Sequence, residues 1–184
     1  ASSGSHAMER LRAPLHVFIS YRRSDTQSAS RQLAEALKVR FGPDGVFFDT
    51  RDIAAGVEWR RDTIRRVQES DVVLAIIGPR WAAAADDRAR RSLLDRTDED
   101  LVRLEIETAF THGAIVIPVL VADAEMPARE SLPRPFRPLA DVQAQTLRHT
   151  SWDRDVDALV DALTHVSGRP RPPPESRELG ARAD

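Results

Sequence analysis

Glu105 and Glu107 lie two residues apart in the segment Leu101-Val-Arg-Leu-Glu105-Ile-Glu107-Thr-Ala-Phe110, and a helix would send them to different environments. Stepping about 100° per residue from Val102 gathers Ile106, Ala109 and Phe110 on one arc, the face that must be buried. Glu107 then falls about 140° from Val102, toward solvent, and Glu105 about 60° to the other side, beside Leu101 on the flank of the buried stripe. A carboxylate on that flank can be partly desolvated in a cleft, which makes it a candidate for acid–base or electrostatic chemistry. The same position suits a boundary ion pair with Arg103 or Arg22. Spacing alone leaves both readings standing.

Other chemistries are removed or weakened by what the chain lacks. There is no cysteine, hence no disulfide, thiolate metal site or Cys nucleophile, which fits a reducing compartment. The eight glycines form neither GxGxxG nor GxxxxGK[ST], so neither phosphate-cradling loop is present. The five histidines include no HExxH, and no other helical pair at metal-ligand spacing occurs. Asp95, Asp98, Glu99 and Asp100 read as a solvated acidic turn ahead of a helix rather than a cation site, so no metal is expected. Asp49 ends a candidate strand and invites a phosphoacceptor reading. That chemistry wants a lysine at the rim, and the single lysine, Lys38, falls mid-helix.

These residues need a frame to hold them. With 184 residues, 41% hydrophobic and 30% charged, the chain amounts to about one domain and can bury a core without staples. His16–Tyr21, Val46–Phe48, Asp71–Ile77, Ala114–Val121 and Ala144–Leu147 read as strands. The third is continuously apolar, as a strand covered on both faces must be. Ala29, Leu33, Leu37 and Phe41 mark a helix that Ser24 or Asp25 can cap and Gly42 can stop. Trp59–Ser70, Asp98–His112 (stopped by Gly113) and the stretch carrying Val156, Leu159, Val160 and Leu163 give three more helices, with Trp59 a packing anchor at a helix start. Alternating strands and helices predict an α/β, flavodoxin-like fold: a central five-stranded parallel sheet with helices on both faces and ligands at the rim beyond the strand C-termini.

The ends differ from the middle. Residues 1–13, with Ser3-Gly4-Ser5-His6-Ala7-Met8, read as a vector scar and N-terminal lead. Residues 168–184 open on Gly168-Arg-Pro-Arg-Pro-Pro-Pro174 and lack apolar periodicity, which predicts a disordered linker cut short before a further C-terminal domain. The folded unit is expected over 14–167. No apolar run approaches the roughly 18 residues of a membrane span, so a cytoplasmic protein with no membrane contact is expected. A formal net charge of −2 gives no reason to expect nucleic acid.

Phe18-Ile-Ser-Tyr-Arg-Arg-Ser-Asp25 resembles the first box of Toll/interleukin-1 receptor (TIR) domains, and Val46-Phe-Phe-Asp-Thr-Arg-Asp-Ile-Ala-Ala-Gly56 with Glu58-Trp59 resembles their second strand and BB loop. Ser70-Asp-Val-Val-Leu-Ala-Ile-Ile-Gly-Pro-Arg-Trp81 is similar to the third-strand box, and Arg103-Leu-Glu-Ile-Glu-Thr-Ala109 to the helix that carries a catalytic glutamate in enzymatic members. The boxes follow in family order across about residues 14–166. The resemblance implies a TIR domain of bacterial type that cleaves the nicotinamide–ribose bond of NAD⁺ when self-associated. NAD⁺ would be its substrate, no cofactor would be needed, and homotypic TIR–TIR association would switch it on.

By the same resemblance Glu105 takes the catalytic position, and Ser20, Tyr21, Arg22, Arg23, Asp49, Asp52, Trp81 and Leu101 line the substrate site. Arginine suits the pyrophosphate, although Tyr21 and Arg22 equally suit a structural role at the rim, Asp52 a loop-fixing one, and Trp81 a cap on the core. Two positions depart from the family pattern. Leu101 stands where enzymatic members often carry a stacking aromatic, so stacking would come from Trp81, Phe48 or a neighbouring subunit. Ala55 stands at the BB-loop proline of animal signalling members. Leu104 falls on the outer side of its helix and is a candidate contact between copies. The alternative to the enzyme is a non-catalytic TIR module that acts by assembly alone. A base-exchanging transferase on a related fold has little support.

Overall fold

The computed structural model describes residues 14–48, 57–81 and 93–166. Its sheet consists of β1 (Val17–Ser20), β2 (Val46–Phe47), β3 (Val72–Ile77), β4 (Ile115–Val121) and β5 (Gln145–Leu147), all parallel, in the order β2-β1-β3-β4-β5. This is the flavodoxin-like α/β architecture expected from the alternation of elements. All six residues of β3 are buried, because helices lie on both faces. One core joins Val17, Ile19, Leu74, Ile76 and Val119 to Leu33 and Leu37 of α1 (Arg23–Phe41) and to Leu159 and Leu163 of α4 (Trp152–Val166). The other joins Phe18, Val73, Ala75 and Val116 to Val67 of α2 (Val57–Glu69) and to Val102, Ile106 and Ala109 of α3 (Leu93–Thr111).

The helix stops fall where glycine predicted them. Gly42 takes φ 84° and returns its N–H to the Lys38 carbonyl, and Gly113 takes φ 69°, conformations that cost other residues a Cβ clash. The start of α1 differs from expectation. Neither Ser24 nor Asp25 caps it: the helix begins at Arg23 behind Arg22, which makes no side-chain cap, and the backbone kinks at Thr26. The Asp25 carboxylate is instead engaged by Arg80 of the loop after β3. The third helix also starts earlier than Asp98, at Leu93.

A 3-10 segment, Arg134–Asp141, went unpredicted because Pro135 and Pro138 break any helical period, yet it sends Phe136 and Leu139 into the second core. Among the described residues no helix is long and apolar enough to cross a membrane. The lead 1–13, the tail 168–184, Asp49, Asp52 and Ala55 lie outside the described residues, as does the Trp59 side chain.

Strand order fixes where a site can form. From β1 the chain crosses by α1 to β2 on one side, then by α2 to β3 on the other. Connections therefore diverge between β1 and β3, and a crevice opens at the C-terminal ends of those strands.

Candidate active site

Alternation along β1 decides which side chains reach that crevice. Val17, Ile19 and Tyr21 enter the core under α1 and α4, whereas Phe18 enters the core under α2 and α3. Ser20 shares the side of Phe18, and its Oγ donates to Oε2 of Glu105 at 2.6 Å, a length typical of a hydroxyl on a carboxylate. Arg22 follows on that side beyond the strand end, with its guanidinium 5.3 Å from the centroid of the Trp81 ring. Trp81 packs edge-on against Phe136, ring centroids 5.1 Å apart.

The helix supplies the other half. Leu101 and Glu105 are one turn apart on one face of α3. Because α3 runs back antiparallel to the strands, Leu101 lies on the rim side of Glu105. Arg103, one candidate partner for Glu105, pairs with Glu107 at 3.0 Å instead. Glu105 has 0% of its surface exposed, Arg22 5% and Trp81 2%, and Ser20 and Leu101 are also buried. A carboxylate sealed in this way survives only where hydrogen bonds or charges offset its desolvation. Core packing alone would choose an aliphatic residue, which marks the position as a functional candidate.

A second set of residues holds the two loops together. An added Cβ at Gly78 would meet Asp25 Oδ2 and Thr26 Cγ2, each at 2.5 Å, so only glycine lets the end of β3 approach the start of α1 this closely. The buried Asp25 carboxylate accepts the Arg80 backbone N–H at 3.3 Å, and the Arg80 guanidinium donates to the Ser24 carbonyl. This clamp ties the start of α1, next to Arg22, to the loop that carries Trp81. Sequence reasoning offered Asp25 only as a helix cap and did not single out Gly78 or Arg80, although each closes a family-like box: Ser24-Asp25 the first, Gly78-Pro-Arg80 the third.

The structure joins Ser20 to Glu105 and Arg22 to Trp81 by direct contact, and helix geometry sets Leu101 one turn from Glu105 on the same face. Tyr21 turns to the opposite face of the sheet, where it stacks on Phe48 with ring centroids 5.0 Å apart. Arg23 is half-buried at the first residue of α1, and its Nε, shielded from solvent, meets no hydrogen-bond partner among the described residues. Leu104 is half-buried in a shallow depression with Arg60, Arg103 and Glu107, not fully outward. Among the described residues no three of His, Asp and Glu cluster as a metal would need.

A family model described as "TIR domain" matches residues 17–160. NAD(+) hydrolase sarm1 of Drosophila melanogaster is 27% identical over 157 residues, which is 84% of this chain and 11% of that protein. NAD(+) hydrolase tir-1 of Caenorhabditis elegans is 27% identical over 161 residues, 86% of this chain and 15% of that protein. The chain thus spans a small fraction of the relatives it matches. Among solved structures, the TIR domains of the activated Roq1 resistosome directly recognizing the pathogen effector XopQ match with a TM-score of 0.57 at 14% identity, over 81% of this chain and 99% of that one. That likeness is one of fold.

Proposed function

Because the chain belongs to the TIR domain family, we propose that it cleaves the nicotinamide–ribose bond of NAD⁺, with Glu105 as the catalytic carboxylate. The observation that carries this reading is a fully buried glutamate held by a serine hydroxyl from the end of β1, at the switch point of the sheet. The two relatives named as NAD(+) hydrolases support it.

The chemistry asks little more of the protein. Nicotinamide in NAD⁺ is a pyridinium, so it departs neutral with the electron pair of the C1′–N bond and needs no general acid. The transition state is oxocarbenium-like, and one carboxylate can hold the ribose hydroxyls and stabilise the developing positive charge. A second carboxylate acting as acid is unnecessary, unlike in most glycosidases. Water at C1′ gives ADP-ribose, nicotinamide and a proton. Attack by the adenine of the same molecule gives a cyclic ADP-ribose and nicotinamide.

A second reading, a non-catalytic module acting by homotypic assembly, draws on the closure of the site in the single chain. Incubation with NAD⁺ at high protein concentration, with products separated by chromatography, distinguishes the two. The enzyme reading expects nicotinamide to appear with wild type and not with Glu105→Ala. No loss of NAD⁺ from wild type in a sample shown to have assembled would leave the assembly reading in its place.

A further inference from the structure

We propose that Arg80 is a latch on the candidate site: it pins the first turn of α1 to the loop after β3, and its release parts the two walls of the crevice. On the NAD⁺ reading above, on which this rests, the latch restrains cleavage in the single chain.

β1 and β3 run side by side, with Ser20 opposite Ala75. The segments that leave them, 21–25 and 78–81, are therefore the facing walls of the crevice at the strand ends. Glu105 is bonded to Ser20, where the first wall begins, and has none of its surface exposed. A ligand entering from the rim has to part the walls. The Arg80 backbone N–H ties them by donating to Asp25 Oδ1 at 3.3 Å. The Arg80 guanidinium ties them again, donating to the Ser24 carbonyl with its Nε 3.8 Å from the same Oδ1. The Arg22 guanidinium over the Trp81 ring spans the same gap.

The first turn of α1 is built to move as a unit. Thr26 leaves helical geometry, with φ −131° and ψ 16°, so residues 23–25 are jointed to the rest of the helix. The turn closes on itself, because the Asp25 and Thr26 N–H groups both donate to the Arg22 carbonyl. Such a joint absorbs a change of φ and ψ without disturbing the helix beyond it.

The two ends of the latch also stand differently toward water. The Arg80 side chain is 73% exposed, so its guanidinium is hydrated already and loses little on leaving. The Asp25 side chain is 4% exposed, and its Oδ2 is shielded from solvent with no hydrogen-bond partner among the described residues. Arg23 Nε, in the same turn, is shielded in the same way. Shielded polar atoms that lack partners cost free energy, and opening hydrates both. An exposed arginine thus holds closed a turn whose own polar groups gain from opening, and a contact so balanced can be shifted by a modest external bias.

Hydrogen exchange read by mass spectrometry tests the latch without turnover. Arg80→Gln removes the guanidinium and keeps the backbone N–H. Gly78→Ala leaves Arg80 in place and wedges the walls from inside, since its methyl would meet Asp25 Oδ2 and Thr26 Cγ2 at 2.5 Å. Both are expected to speed exchange about tenfold in residues 22–26 and 78–81 while β3 and residues 29–41 of α1 exchange as in wild type. At low protein concentration, Arg80→Gln is also expected to cleave NAD⁺ about tenfold faster than wild type. Unchanged exchange in Arg80→Gln, faster exchange spread through β3 and α1, or wild-type cleavage that fails to rise in Arg80→Gln would overturn the inference. If exchange responds locally and no chain consumes NAD⁺ even when assembled, the cleavage reading fails while the latch stands; if wild type consumes NAD⁺ and exchange does not respond, the latch fails alone.

Discussion

Ser20 separates a glutamate that is merely buried from one that is held. Its hydroxyl gives Glu105 a donor 2.6 Å away, and hydrogen bonds to charged groups contribute about 1.5–3 kcal/mol. With Ser20→Ala, NAD⁺ cleavage at saturating substrate is expected to fall about 10- to 100-fold, while Ser20→Thr, which keeps the hydroxyl, stays within a few-fold of wild type. Chromatographic release of nicotinamide checks both, and equal loss in the two variants would point to packing and not to the donor. Glu105 itself was legible in the sequence because a wheel built on Val102 and Ile106 needs only local periodicity. Its partner was not, since Ser20 lies 85 residues away and no local pattern reports such a contact. Tyr21 stands between these cases. Its place among the rim residues followed from resemblance, but alternation along β1 sends it to the opposite core.

At the scale of elements, the clamp between β3 and α1 predicts a specific sensitivity. Gly78→Ala would press a methyl on the Asp25 carboxylate and the Thr26 methyl at once. Both belong to a helix start already kinked and pinned by Arg80, so neither can swing away alone. A loss of about 1–3 kcal/mol of stability is expected, measurable as a lower denaturation midpoint with an unchanged slope. The start of α4 makes a different prediction. Asp155 accepts the Arg148 backbone N–H at 2.9 Å and the Ser151 hydroxyl at 2.8 Å, with the Arg148 guanidinium 3.5 Å away. The Arg148 backbone bond first, then Ser151, holds its carboxyl below the ordinary value. A depressed acid stabilises the fold above its unfolded pKa and loses that contribution as pH falls through the folded one. Asp155→Asn is therefore expected to lower Tm at neutral pH, and the gap from wild type should close below about pH 4. A gap that persists at lower pH would assign the effect to shape and not to charge. These local ties are invisible to patterns of apolar residues, which predicted the amphipathic helices but not the proline-broken segment Arg134–Asp141 that completes the core over α3.

At the scale of the whole molecule, continuous apolarity in β3 foretold a sheet covered on both faces, and with it a crevice at the β1/β3 rim. It could not foretell that the crevice would be shut. Closure depends on side chains from β1, the β3 loop and α3 meeting in space: Glu105, Arg22 and Trp81 are all withdrawn from solvent in the single chain. A dinucleotide cannot reach Glu105 without opening this arrangement, and opening exposes Trp81 and strips Glu105 of its surroundings, at a cost in free energy. Contacts that a neighbouring copy makes only with the open form would shift the population toward it, so the rate per chain is expected to depend on protein concentration. A mixing experiment isolates this effect. Wild type held at trace concentration should be nearly inactive, and adding excess Glu105→Ala chains, which on the proposed reading assemble without cleaving, should raise the rate per wild-type chain to a plateau. A flat response, with the two proteins shown to co-assemble, would mean that the site opens within a single chain and that association serves some other end.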